Sequence, residues 1–354
     1  MQARDPALLS LAVAEAPHAV GQDEIRELAC RFFDNAYDIS VTGSIFESTG
    51  IKRRTFVLPL DGYSTALPFA ARNRHYIESA GRMLRAAAAR AVPEEARSKV
   101  THVVLISSTG IATPSLDCNV IQALGIRADA HRVPVFGLGC AGGVSGLQIA
   151  RDLARSDPNA LVLVLCVELT SLTLMAGDRS LRNFVACALF GDGAAAALVG
   201  NSDNGQPPLG TLGQGLSRLF PDTEDLMGWD VREEGWRVVF SPRIPGVVRD
   251  NLQDLVADLP GSRGARHFLL HPGGRRILEA YRDALDLSEE QLEPATTVLE
   301  RHGNMSAVTV FFVLDHVLRS PGFEPGPGLM TAFGPGFSAQ LLSVELQAGQ
   351  PAPA

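Results

Sequence analysis

Three residues, Cys140, His271 and Asn304, stand in local contexts that suit chemistry. Cys140 lies in Gly139-Cys140-Ala141-Gly142-Gly143, after a stretch that reads as a strand and before one that reads as a helix. A sulfur at a helix N-terminus meets the positive end of the helix dipole, which favours the thiolate and lowers its pKa. The glycines allow close approach of a substrate. The alternative is a structural cysteine before a glycine-rich turn, because free Cys is among the most buried residue types. His271 closes the apolar run His267 to Leu270 and opens His271-Pro272-Gly273-Gly274. Strand C-terminal ends face the ligand crevice of α/β folds, so this imidazole can form a thiolate–imidazolium pair with a cysteine. It can equally be satisfied by turn backbone groups. Asn304 lies in Gly303-Asn304-Met305-Ser306-Ala307, at the start of a helical pattern. Its amide can donate to a developing enolate oxygen, or its side chain can cap the helix. His302 precedes that turn and reads as exposed. Cys30, Cys118, Cys166 and Cys187 fall within apolar or helical segments and read as structural.

Strands and helices alternate around these residues. His102 to Ser107, Val133 to Leu138, Leu161 to Val167 and Ala194 to Val199 read as strands. Pro114 to Leu124 and Ala141 to Arg155 read as helices; in the second, Leu147, Ala150 and Ala154 share one side. The second half repeats the rhythm. Arg237 to Phe240, His267 to Leu270, Leu329 to Phe333 and Ala339 to Leu346 are expected strands, and Val247 to Leu259, Arg275 to Leu285 and Asn304 to Leu318 expected helices. Ala7 to Ala14 is expected to be a short first strand rather than a signal peptide, since no basic segment precedes it and Glu15 follows. Two α/β halves, 1–202 and 203–354, are separated by the polar Asn201 to Pro208. The tail Gln347 to Ala354 is expected to be disordered.

The bulk numbers narrow the classes. The 354 residues are 46% hydrophobic and 20% charged, as in globular rather than disordered chains. A net charge of −8 argues against a nucleic-acid partner, yet allows an acidic small ligand held by a local basic patch. No apolar run approaches the ~20 residues that span a bilayer. The five cysteines form no CxxC pair and have no zinc-ligand spacing with histidine, which suits reduced thiols in the cytoplasm.

Taken together, the motifs resemble those of the type III polyketide synthases, the chalcone and stilbene synthase family, of bacterial type. The matching pieces are Ile51-Lys52-Arg53-Arg54, the Cys140 motif, Leu189-Phe190-Gly191-Asp192-Gly193-Ala194-Ala195-Ala196, the His271 and Asn304 motifs, and Phe333-Gly334-Pro335-Gly336. The resemblance runs from about Ile51 to Leu346. It implies an α/β, thiolase-like fold of duplicated halves in five layers, αβαβα, and a homodimer. It implies that Cys140 accepts the acyl group, and that His271 and Asn304 drive malonyl decarboxylation and hold the enolate. Phe190 resembles a gatekeeper between a CoA tunnel and the cavity, and Val238 occupies the position of a second gatekeeper phenylalanine. Thr109, Thr113, Thr173, Trp229, Ser306 and the loop Phe333, Gly334, Pro335 and Gly336 are expected around the substrate.

The resemblance also implies acyl-CoA and malonyl-CoA as substrates, with no metal or organic cofactor. The basic residues that plant members place upstream of Ile51 are absent from Val41 to Gly50. Lys52, Arg53, Arg54, Arg275 and Arg276 are the substitutes to consider for CoA phosphates. The glycine-cysteine-alanine-glycine-glycine motif matches bacterial members that use fatty acyl starters, so the expected products are alkylpyrones or alkylresorcinols. The alternatives are a β-ketoacyl-carrier-protein synthase of the initiation type, which condenses once, and a catalytically inactive binding subunit of the same fold.

Overall fold

The computed structural model describes residues 5–33, 39–63, 67–175, 177–201 and 207–353. The first half runs β1 (Ala7–Glu15), β2 (His18–Gly21), α1 (Gln22–Phe32), α2 (Ile39–Ser48), β3 (Arg53–Phe56), α3 (Phe69–Ala91), α4 (Glu94–Arg97) and β4 (His102–Ile106). It continues through α5 (Asp117–Leu124), β5 (His131–Val135), α6 (Gly142–Ser156), β6 (Leu161–Leu169), α7 (Leu181–Leu189) and β7 (Asp192–Gly200). The second half contains β8 (Gly210–Leu219), β9 (Met227–Arg232), β10 (Gly235–Phe240), α8 (Ile244–Asp258) and β11 (His267–Leu270). It ends with α9 (Arg275–Leu285), α10 (Glu289–His302), α11 (Thr309–Arg319), β12 (Gly326–Gly334) and β13 (Ser338–Leu346).

The apolar run Leu161–Leu169 explains the layering. All nine of its residues are buried, because each face of β6 meets a different core. Leu161, Leu163, Leu165 and Val167 point to a core built with α3 and α5. Val162, Val164 and Cys166 point to a core built with α6 and α11. That second core also receives Met330, Ala332, Leu342 and Val344 from β12 and β13. The opposite face of those strands, with Leu329, Phe333 and Leu341, meets α8 and α9. The result is the expected five-layered αβαβα arrangement, with α6 and α11 in the middle. Nine strands form one mixed sheet, β11-β12-β13-β8-β1-β7-β6-β4-β5, whose halves join through the short β1–β8 pairing Ala7↔Thr211 and Leu8↔Gly210, while β2–β3 and β9–β10 form separate two-stranded ribbons. The proposed boundary between residues 202 and 203 lies outside the described residues.

The middle layer is tight where it carries the candidate nucleophile. A methyl group on Gly143 would fall 2.2 Å from the backbone oxygen of Ala307, which cannot yield as a flexible side chain can. Gly143→Ala is therefore expected to lower the melting temperature and the activity together, since overpacking costs about 1–3 kcal/mol and this contact joins the Cys140 and Asn304 segments. Differential scanning fluorimetry beside a turnover assay checks it.

Three expectations are corrected. The strand from Val133 stops at Val135, because Gly137 adopts φ +91°. The helix expected from Asn304 begins later: a 3-10 turn covers Ser306–Val308, and α11 starts at Thr309. Ser306 holds φ +51°, and Thr309 Oγ1 accepts the Met305 N–H, so the regular helix cannot extend back to Asn304. The tail is pinned rather than loose. Gln347 N–H donates to Leu209 O at 2.8 Å, Ala352 N–H to Leu11 O at 2.9 Å, and Arg319 Nη2 to Ala352 O at 2.5 Å. No helix among the described residues is long and apolar enough to cross a membrane.

Candidate active site

Cys140 sits in a 3-10 turn, Gly139–Ala141, that leads into α6. Gly139 has φ +47°, and an added Cβ would lie 2.6 Å from Pro335 Cδ. An added Cβ on Gly334 would lie 2.4 Å from Leu138 O. The turn between β12 and β13 thus packs directly on the turn that carries the sulfur. His271 follows β11 and is fixed by its backbone: its N–H donates to Thr331 O at 2.9 Å, and Tyr281 Oη donates to its carbonyl at 3.2 Å. Neither ring nitrogen has a partner. Asn304 is held from both sides of its amide. Oδ1 accepts the Ser306 N–H at 2.8 Å, and Nδ2 donates to Gly273 O at 3.1 Å. The Cys140 thiol donates to Asn304 Oδ1 at 4.0 Å.

These residues converge. Cys140, Phe190, Trp229, Val238, His271, Asn304, Ser306, Phe333 and Pro335 line one cavity of about 50 Å³. Thr170, Met227, Phe240, Gly273, Ile277 and Tyr281 are also in its wall. A larger apolar cavity of about 570 Å³ adjoins it, sharing Phe240, Gly273 and Ile277, and carries Arg182, Arg275 and Arg276. A neutral reactive centre opening to an arginine-bearing mouth suits a long thioester with an anionic end.

Other expected residues lie elsewhere. Thr109 lines no part of this cavity; its hydroxyl is spent on Glu168 Oε2 at 2.7 Å and accepts the Leu169 N–H. Thr173 donates to Thr170 O at 2.7 Å, and it is Thr170 that reaches the cavity. Thr113 is exposed beside Pro114. Gly336, with φ +100°, shapes the turn and faces Leu219. Lys52 pairs with Glu300 at 2.8 Å and Arg53 with Glu15 at 3.5 Å, and neither lines the mouth. Arg54 is fully buried and so meets no phosphate. His302 is not exposed; it packs on Phe312 with ring centroids 4.9 Å apart.

Burial dominates the electrostatics. It pushes the Cys140 thiol up to about 11, against hydrogen bonds with Ser306 and Asn304, and Glu168 adds to the rise. The lowering expected from the helix end is overridden, because desolvation disfavours any charged form. Burial likewise pulls His271 down to about 3. Glu168 was missed in the sequence, although a carboxylate closing an all-apolar strand is a signal. Its Oε2 accepts from Ser108 N–H at 2.9 Å, Oε1 has no partner, and burial raises its pKa to about 7.

The histidine shift sets an acid limit on stability. The folded value of about 3 lies below the usual 6.5, so the unfolded chain binds the proton between them. The stabilisation is complete above about pH 6.5 and is lost as pH falls toward 3. His302, pulled down to about 4 by burial, acts in the same sense. The melting temperature is expected to drop on acidification from pH 7 to 4, and to drop less in His271→Gln, as thermal melts across that range would show.

The comparisons with known proteins settle the family. Residues 63–203 match the N-terminal domain model of the chalcone and stilbene synthases, and residues 212–345 match the C-terminal one. The chain belongs to the chalcone and stilbene synthase family. It is 36% identical over 364 residues to a protein of Bacillus subtilis (strain 168) provisionally named a chalcone synthase, covering 97% of this chain and 99% of that one. It is 34% identical over 350 residues to the 1,3,6,8-tetrahydroxynaphthalene synthase of Streptomyces peucetius subsp. caesius, covering 96% and 93%. The C-terminal type III polyketide synthase domain of Steely1, a type I/III hybrid from Dictyostelium, superposes with a TM-score of 0.89 at 27% identity. That match covers 97% of this chain and 99% of the other. The chain is thus a type III polyketide synthase, a CoA-dependent condensing acyltransferase with a thiolase-like fold.

Proposed function

We propose that this synthase loads a medium- or long-chain fatty acyl group from CoA onto Cys140. It then extends that group with malonyl-CoA and releases an alkylpyrone, alkylresorcinol or related phenolic. The observation that carries the reading is the convergence of Cys140, His271 and Asn304 on one cavity behind an arginine-bearing mouth.

Thiol and imidazole are each held neutral by burial, yet together they can exchange a proton. Transfer from Cys140 to His271 makes two opposite charges in a dry site, where their attraction is strong. The thiolate attacks the starter thioester carbonyl, the tetrahedral adduct collapses, and CoA leaves with the proton from the imidazolium. Malonyl-CoA then places its thioester oxygen toward His271 and Asn304 Nδ2. The bond to the carboxylate breaks, CO₂ departs, and the electron pair becomes the enolate stabilised by those donors. The enolate carbon attacks the Cys140 thioester, forming a C–C bond and releasing the thiolate, which takes back the extended chain from CoA. Repetition and ring closure end the sequence.

The pairing predicts a reactivity change. In His271→Gln the thiol keeps its burial but loses its proton acceptor, so alkylation of Cys140 by iodoacetamide at pH 7 is expected to slow by about ten-fold or more. Equal rates would remove His271 from the loading step.

Small catalytic volume argues for chain space elsewhere. An apolar cavity of about 490 Å³, lined by Leu28, Phe56, Leu67, Leu172 and Leu174, lies beyond the turn Thr170–Thr173 and supports a fatty starter. A homodimer is supported by β5, an open sheet edge, beside Phe136 and Ile111, which are 62% and 49% exposed. Phe136→Asp is expected to shift sedimentation toward the monomer. A cytoplasmic location fits the five free cysteines.

The test is incubation with labelled malonyl-CoA and acyl-CoA starters from acetyl to palmitoyl, read by mass spectrometry. Cyclised tri- or tetraketides from long starters are expected. Inactivity with every starter longer than hexanoyl defeats the fatty acyl assignment; a single β-keto product defeats iterative extension.

A further inference from the structure

A buried cation behind the site remains unused by the chemistry above. Arg54 has no exposed surface. Its Nη1 donates to Cys187 O and Phe190 O, each at 2.7 Å, and its Nη2 donates to Gln22 Oε1 at 2.7 Å. Gln22 is itself held, its Nε2 donating to Ala188 O at 2.9 Å and Thr49 Oγ1 at 3.2 Å. Cys187 and Phe190 lie at the C-terminal end of α7, where helix carbonyls lack partners and a positive charge is favoured. The guanidinium carbon also stands 5.6 Å from the centre of the Phe56 ring. Asp192, buried nearby, supplies the opposing charge.

The arginine stem governs a second segment. A Cβ on Gly303 would lie 2.6 Å from Arg54 Cδ and 2.7 Å from Leu189 O. A Cβ on Gly191 would lie 2.5 Å from His302 O. The segments 189–191 and 302–304 therefore pass with no side chain between them. Asn304 N–H donates to Leu189 O at 2.8 Å, and Gly191 N–H donates to Asn304 O at 3.0 Å, which pairs Phe190 with Asn304. One guanidinium thus fixes the end of α7 with its head and bounds the Asn304 loop with its stem. Those two segments deliver Phe190 and Asn304 to the cavity, whereas Cys140 arrives on a separate turn.

We infer that Arg54 is a positioning residue for the decarboxylation half of the reaction, setting Asn304 and Phe190 against the incoming malonyl thioester. This rests on the polyketide synthase reading. The role weighs unequally on the two half-reactions, because Cys140 arrives on its own turn before α6 and its one hydrogen bond to the Asn304 side chain is long, at 4.0 Å. A displacement of about 1 Å at a reacting group costs about a hundred-fold in rate, so loosening this anchor is a rate effect more than a binding effect.

The experiment measures both half-reactions in the full-length protein. Acylation of Cys140 is followed as single-turnover CoA release from a starter, and decarboxylation as CO₂ release from malonyl-CoA. Arg54→Lys keeps the charge but cannot reach three acceptors in a planar fork. Its decarboxylation kcat is expected to fall about ten- to hundred-fold, with KM and the acylation rate within about three-fold. Gln22→Ala removes the Nη2 acceptor together with the bonds from Gln22 to Ala188 O and Thr49 Oγ1, and leaves both Nη1 bonds in place; a smaller loss with the same selectivity is expected. It decides the matter if Arg54→Lys does not fold. Unchanged decarboxylation, or equal loss of both half-reactions at a wild-type melting temperature, overturns the inference while leaving the synthase reading intact. A wild-type protein that performs neither half-reaction overturns that reading, and the inference with it.

Discussion

Cys140→Ala is expected to abolish polyketide formation, by about 10³-fold or more, while leaving malonyl-CoA decarboxylation measurable. The separation follows from the geometry. Cys140 enters on the turn before α6, whereas His271 follows β11 and Asn304 follows α10. Asn304 keeps its hydrogen bonds to Ser306 and Gly273 when the sulfur is removed, because its contact with the thiol is long, at 4.0 Å. The enolate site therefore survives, and only the acceptor for the growing chain disappears. Free malonyl-CoA would be converted to acetyl-CoA and CO₂ without extension. Loss of both activities together would instead make the sulfur part of the enolate site.

Asn304→Ala is expected to do the reverse. It removes one donor to the developing oxyanion, for which a loss of about 10²–10³-fold in decarboxylation is typical, about 3–4 kcal/mol. Starter loading on Cys140 should persist, so the variant would accumulate as the acyl-enzyme. Asn304→Asp would be worse than alanine for the enolate, since a carboxylate puts a like charge where negative charge develops. Rapid-quench measurement of loading, with carbon dioxide release in parallel, separates these cases. Equal loss of loading and decarboxylation would place Asn304 in both half-reactions.

Much of this site was legible in the sequence for physical reasons. Cys140, His271 and Asn304 each sit in a glycine-bearing turn at the end of a regular element, where a side chain can be delivered to a crevice. The strands were legible because both faces of β6 are buried, which forces an unbroken apolar run. The α7–β7 turn was legible too, since Gly191 is demanded by the close passage of His302 O. What escaped was long-range. Arg54 looks like any basic residue in Ile51-Lys52-Arg53-Arg54; only the fold shows Lys52 and Arg53 pairing at the surface and Arg54 turning inward to the end of α7. The threonines near the site have the right size but spend their hydroxyls on neighbours, and sequence does not reveal that. Asn304 was ambiguous because Asn suits both caps and oxyanion donors, and the fold lets it do both at once: Oδ1 accepts the Ser306 N–H in a local turn, which leaves the amide NH₂ as the donor.

The same contrast governs the thiol. A helix-end argument alone lowers its pKa, yet burial raises it to about 11. A proton acceptor in the same cavity would make it nucleophilic at neutral pH, and in the proposed mechanism His271, with both ring nitrogens unpartnered, takes that role.

The most direct test of the central claim is peptide mass spectrometry of the protein after brief incubation with a fatty acyl-CoA and malonyl-CoA. The account predicts the starter acyl group on the peptide containing Cys140, followed by adducts growing in two-carbon ketide steps on that same residue. An unmodified Cys140, or growing adducts on another residue, would contradict it.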